Sequence, residues 1–169
     1  LPFVTTANGQ AYPLIAYPTC SLAEPFVAYL RDNNDPRLKV YAALPNGDTT
    51  RNNQLGLPPL GSSSTATLPY ASYSKSNPAT FGRYDAPFIH LSYSQVQLML
   101  AELAVRGWIA GSAKMYYENG VRAAMKELAI YGVQGDITDT QINDYLMRNP
   151  DNPVSIDDAL NLINTQYWV

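Results

Sequence analysis

One imidazole, His90, and one thiol, Cys20, are the groups from which nucleophilic or metal chemistry would have to be built in this chain of 169 residues. A Ser-His-Asp relay can be drawn around His90, but no serine stands in a Gly-x-Ser-x-Gly elbow. One His and one Cys cannot close a zinc site. Asp136, Asp139, Asn143 and Asp144 carry oxygen ligands, yet their spacing does not match a calcium loop. Gly-x-Gly occurs nowhere, which removes the usual phosphate-cradling turns. The carboxylates are scattered and give no positive support to a paired-acid mechanism. The residue types therefore point to no catalytic group, no cofactor and no metal, and an enzyme is not expected.

Non-covalent chemistry is better represented. Tyrosine is in excess, 13 residues against 4 Phe and 2 Trp. Its ring packs while its hydroxyl stays wet, so an excess suits a surface that binds something polar. Between Thr49 and Pro87 the chain is long, polar and without period, and it carries Asn52, Asn53, Gln54, Tyr70, Tyr73, Phe81, Arg83 and Tyr84. A loop of this length in a compact domain is usually functional or disordered, and its aromatic content argues against disorder. Either these rings and amides form a binding surface, or the rings only pin the loop to the helices.

The remaining composition narrows the partners. A net charge of -3 and 11 basic residues that never form a run give no electrostatic reason to expect nucleic acid. A lone cysteine excludes an intrachain disulfide. No stretch approaches the ~18 apolar residues needed to cross a bilayer, and no signal-peptide pattern opens the chain. The chain opens on Leu1 rather than methionine, and so reads as processed, excised or degraded.

Helix punctuation is the clearest signal. Ser92 with Gln95 spells a capping box, Gly107 a left-handed stop, and Ser112 the cap of the next helix. The spacing predicts helices over 93–106 and 113–131, the second closed by Gly132. So short a connection makes them an antiparallel hairpin. Thr138 with Gln141 caps a helix over 139–148, and Ser155 caps another over 156–167. Upstream, Ser21 with Glu24 predicts a helix from Leu22 to Arg31, with Leu22, Phe26, Val27 and Leu30 on one face. Residues 37–44 read as extended, followed by a strong turn at Pro45-Asn46-Gly47-Asp48. Val96, Leu100 and Leu103 mark the apolar stripe of the first long helix, broadened by Leu98 and Met99. Glu102–Arg106 and Glu118–Arg122 are i,i+4 pairs worth about 0.3 kcal/mol each.

The expected fold is mainly α: antiparallel helical hairpins of tetratricopeptide-like type with a long irregular loop region. It is laid out as a single helical domain over 1–169, with 1–20 irregular, 21–31 helical, 45–87 a long loop and 92–169 the hairpins. No repeat of 34 residues is visible, so the tetratricopeptide label rests on the resemblance described next.

The segment Pro87–Trp108, with its Tyr93-Ser-Gln-Val-Gln-Leu-Met-Leu-Ala-Glu helix ending in Arg106-Gly107-Trp108, resembles the SusD/RagB family of nutrient-binding outer-membrane lipoproteins. Ala113, Tyr117, Gly120 and Val121 match that family's next helix. Glu24-Pro25-Phe26-Val27 and Asp35-Pro36-Arg37-Leu38 resemble the element ahead of its variable loop, and Ala159–Trp168 a later helix. The likeness covers roughly residues 21–169. The resemblance implies a surface-exposed protein of the outer membrane that captures a glycan or glycan-derived nutrient. It also implies docking on a SusC-like TonB-dependent transporter. Family members are far longer and carry a lipidated cysteine at their mature N-terminus. The chain is therefore expected to be a fragment, with Cys20 not the anchor and membrane attachment only through a lipid on the absent N-terminal part.

Sugar recognition calls for flat rings against pyranose faces and planar polar groups for the hydroxyls. Tyr70, Tyr73, Phe81 and Tyr84, with Asn52, Asn53, Gln54 and Arg83, are the candidate contacts. The alternative function is a protein-interaction helical scaffold with no glycan binding of its own. A fragment of a helical array is also expected to leave apolar surface around Val96, Met99, Leu103, Val121, Met125 and Leu128, and hence to self-associate.

Overall fold

The structure is a computed structural model that describes residues 21–59, 68–83 and 85–169. The 1–20 segment, Cys20, Tyr84 and the Tyr70 side chain, all subjects of expectations above, lie outside what is described. The architecture is mainly α, as expected. Two compact units are distinguished, one from Leu1–Phe88 and Leu128–Asp136, the other from Ile89–Glu127 and Ile137–Val169.

The first unit opens with α1, Glu24–Asp32, which buries Val27 and Leu30. It begins at Glu24 and not Leu22, and no side chain caps it. The reason is that strand-like bonds already occupy the backbone before it. Leu22 N–H donates to Ser74 O at 2.8 Å, and Glu24 N–H donates to Leu57 O at 2.9 Å. The Ser21 hydroxyl accepts from Lys75 Nζ instead of capping. Residues 37–44, expected to be extended, hold a one-turn helix, α2 at Leu38–Tyr41, before strand β1 at Ala42–Ala43. Strand β1 pairs antiparallel with β2, Lys75–Ser76, in the register Ala42↔Ser76.

The turn at 45–48 forms as expected, with Gly47 at φ +84° and its N–H donated to Leu44 O. Beyond it the long loop is irregular but anchored along its described length. Ser74 N–H donates to Leu55 O, Asn77 Nδ2 to Lys39 O at 2.8 Å, and the Thr80 hydroxyl to Val40 O.

The second unit is built on a helical hairpin, α3 at Tyr93–Val105 and α4 at Ala113–Glu127. Ser92 and Gln95 form the reciprocal capping box, Gly107 takes φ +72°, and Ser112 Oγ accepts from Met115 N–H. The predicted 113–131 helix is α-helical only to Glu127 and tightens into a 3-10 turn over Leu128–Tyr131 before Gly132. Helix α5, Asp139–Arg148, starts at the Thr138–Gln141 capping box, and α6, Ile156–Trp168, at Ser155. Helix α6 packs along α3 and α5 against α4, while Gln166 Nε2 donates to the Tyr145 hydroxyl to tie the last two helices together.

The stripe that marks α3 packs only in part, through Leu98, with Leu100 and Leu103 half-buried. Ser94, Gln97, Leu98 and Ala101 are buried, whereas Val96 and Met99 are exposed. Gly120 explains the offset, because a Cβ there would stand 2.9 Å from both Leu98 Cγ and Cδ2 and 3.4 Å from its backbone nitrogen. The missing side chain lets α3 approach closely, and a close approach selects small residues at the contact. Val121, Met125 and Leu128, expected to keep apolar area, are buried as well. In the second unit, α5 lies against α4 and contributes buried Ile142 and Tyr145.

Of the two predicted helix ion pairs, Glu102–Arg106 forms at 2.8 Å. Glu118 stands 3.9 Å from Lys114 instead, and Arg122 donates to Asn143 Oδ1 at 2.6 Å.

Candidate functional site

The loop residues singled out in the sequence have mixed placements. Asn52 and Asn53 sit exposed in a 3-10 turn, Arg51–Asn53. Asn53 Nδ2 donates to Asp48 Oδ2 at 2.7 Å. Gln54 is completely buried, donating to Asp48 O and Thr50 O and accepting from the Ser74 hydroxyl at 2.8 Å. Its amide is consumed in holding the loop. Asp48 binds the same turn, and hydrogen bonds from the Thr50 hydroxyl, the Asn53 amide and the Thr50 N–H hold its carboxyl below the ordinary value of 3.8.

Tyr73 is 4% exposed and so packs in the interior without presenting a ring face. Phe81 is half-buried in a row of tilted rings. Phe26 and Tyr41 stand 5.7 Å apart, Tyr41 and Phe81 5.2 Å, and Phe81 and Tyr131 4.4 Å. Such spacings are those of favourable aromatic pairs. The Tyr131 hydroxyl donates to Pro87 O. Arg83 grips Asp85 through Nε at 2.9 Å and Nη2 at 3.0 Å, which raises the guanidinium pKa and lowers that of the carboxyl.

The second unit carries two concave sites that the sequence reading did not single out. A cleft of about 330 Å³ has Val105, Ala113, Tyr117 and Ile163 as its apolar lining and Lys114 and Asp151 as its charged one. Burial raises the Asp151 pKa above 3.8, opposed by Lys114 and reinforced by Glu118. A more open groove of about 570 Å³ runs between the first turn of α3 and the C-terminal half of α4, lined by Tyr93, Asn119, Arg122, Ala123, Lys126 and Glu127. One cue to it was legible: Asn119-Gly120 are two poor helix formers in mid-helix, a pairing that propensity alone would not place there. Among the described residues no cluster of three or more His, Cys, Asp or Glu is placed to hold a metal, and no helix is long and apolar enough to cross a membrane.

The comparisons agree with this helical framework. A family model described as starch-binding, associating with outer membrane, matches residues 4–169. A solved chitin-binding protein is similar at 33% identity and a TM-score of 0.63, over 86% of this chain and 33% of its own. A Bacteroides vulgatus outer membrane protein with a proposed nutrient-binding role is similar at 26% identity and a TM-score of 0.69, over 86% of this chain and 35% of its own. A SusD-like protein of the Bacteroidetes, at 23% identity and a TM-score of 0.68 over 88% of this chain and 39% of its own, shares the fold. The chain thus spans about a third of the length of these solved relatives. No curated protein matches it in sequence. Because the family model runs through both compact units, from residue 4 to residue 169, the chain belongs to the SusD-like family.

Proposed function

We propose that this chain is part of a non-catalytic protein that captures a glycan or glycan-derived nutrient at the outer face of the outer membrane. In this reading it hands its ligand to a SusC-like TonB-dependent transporter. The observation that carries the proposal is the match of a starch-binding, outer-membrane-associating family over residues 4–169. The name of the 33% identical chitin-binding relative supports a polysaccharide ligand over other nutrients. Within the loop, exposed Asn52 and half-exposed Arg83 and Phe81 are the described candidates for polar and stacking contacts.

A second reading, the helical scaffold, is favoured by the exposed apolar side chains Val96 and Met99 on α3 and Trp108 just after it. A glycan array probed with the longer parent protein separates the two. Specific oligosaccharide binding supports capture, and co-purification with the transporter without any glycan signal supports the scaffold. Turnover of an oligosaccharide by the purified protein would overturn the non-catalytic assignment.

A further inference from the structure

The chemistry that sugar recognition demands comes together away from the 49–87 loop. We propose that the groove between the first turn of α3 and the C-terminal half of α4 is a saccharide subsite, an inference that rests on the glycan-binding reading above. Tyr93 is its stacking surface, and Asn119 and Arg122 are its hydroxyl ligands.

Tyr93 is the first residue of α3, and the Ser92–Gln95 capping box fixes the backbone that carries it. Its ring is 64% exposed, whereas Tyr73, Tyr117, Tyr131 and Tyr145 are all buried. An exposed aromatic on a fixed backbone offers a flat apolar face at little ordering cost. Its hydroxyl and the Asn119 side-chain amide have no hydrogen-bond partner among the described residues. Arg122 uses one donor on Asn143 Oδ1, and a guanidinium has five. Ala123 adds a methyl wall without closing the space. The volume of about 570 Å³ lies within the range of small-ligand sites, ~300–1,000 Å³.

Charge narrows the ligand further. Lys126 is paired with Asp139 at 3.0 Å and donates to Ile137 O, so its ammonium is already engaged. Glu127 also stands in the lining, and its negative charge offsets that of Arg122 in the groove's net charge. A groove with no net positive field has no means of preferring a polyanion. The ligand class is a neutral oligosaccharide, bound with a pyranose face on Tyr93 and its hydroxyls on the amide and guanidinium.

The test is isothermal titration of the chain with two neutral probes, N-acetylchitohexaose and maltohexaose, backed by backbone amide shift mapping. Tyr93→Ala and Asn119→Ala are each expected to weaken binding by about tenfold or more. Tyr93→Phe should keep it within about threefold, because the ring remains. Trp108→Ala, at an exposed aromatic outside the groove, should leave it unchanged. The shifts should centre on residues 93, 119 and 122. If the chain binds a probe and Tyr93→Ala binds it equally well, or the shifts centre elsewhere, the groove is refuted while the glycan reading stands. If the chain binds neither probe, the glycan reading fails for this chain and the groove falls with it.

Discussion

Removing half of the Asp35–Arg37 pair should be the most damaging polar substitution in the first unit. Both side chains are at most 1% exposed. Asp35 Oδ2 accepts from Arg37 Nη2 at 2.6 Å and from Nε at 3.1 Å, and Oδ1 accepts from Nε at 3.0 Å. The same Oδ1 also accepts the Arg37 backbone N–H at 2.9 Å, an Asx turn that leads the chain into α2. A fully desolvated pair of this kind is a weak net stabiliser, because dehydrating two ions offsets their attraction. Breaking it is different, since the surviving charge keeps its dehydration and loses its partner, at about 3–5 kcal/mol. Asp35→Asn keeps an oxygen for the backbone N–H but turns an NH₂ group toward the guanidinium. Arg37→Met keeps the volume and strands the carboxylate.

Each single change should therefore cost about 3–5 kcal/mol, a large share of the ~5–15 kcal/mol typical of a domain. The double change, with neither charge buried, should cost less than either single one. Urea unfolding of the four proteins, followed by far-UV circular dichroism, closes a double-mutant cycle. Single costs below about 1 kcal/mol, or a double cost equal to their sum, would refute the desolvation argument.

Other consequences are open to simple measurements. Gly120→Val should lower stability by about 1–3 kcal/mol, because its Cβ would stand 2.9 Å from Leu98 side-chain atoms; a neutral Tm would mean that α3 and α4 separate without penalty. Ser92→Ala removes the oxygen that accepts Gln95 N–H and should cost about 1 kcal/mol, with faster hydrogen exchange at that amide as the local readout. Asp48 should titrate below 3.8 in the folded chain and rise toward that value in Asn53→Ala, which carbon-detected NMR can follow. Its depressed folded pKa makes the stabilisation complete above the unfolded value, with loss as pH falls through the folded one. Asp151, raised by burial, should titrate above 3.8, so that its ionisation opposes folding as pH rises.

Local chemistry was legible in the sequence wherever a structure closes within a few residues. The capping boxes at Ser92–Gln95 and Thr138–Gln141, the Ser112 and Ser155 caps and the left-handed Gly107 all stand where the residue types put them. Each satisfies orphan helix N–H or C=O groups from less than one turn away, so no distant partner is needed. The same pattern at Ser21–Glu24 failed, because residues 57 and 74 supply the partners first. The same punctuation carried the mainly helical class, and the Pro87–Trp108 segment carried the family.

What required the tertiary structure is which surface each element spends on packing. Periodicity marked α3 as a helix with Val96, Leu100 and Leu103 as its stripe. The glycine at 120, on another helix, turned Leu98 of the broadened stripe inward together with Ser94 and Ala101, and left Val96 and Met99 outside. Gln54 and Tyr73 look like binding residues by type, yet the fold takes both into the interior, one for its hydrogen bonds and the other for its ring. The converse holds at Tyr93 and Asn119, 26 positions apart in the sequence, which the α3–α4 hairpin sets on one groove. A residue's type fixes which contacts it can make. Whether a side chain meets core or solvent depends on where a distant partner packs, and that is a property of the folded chain alone.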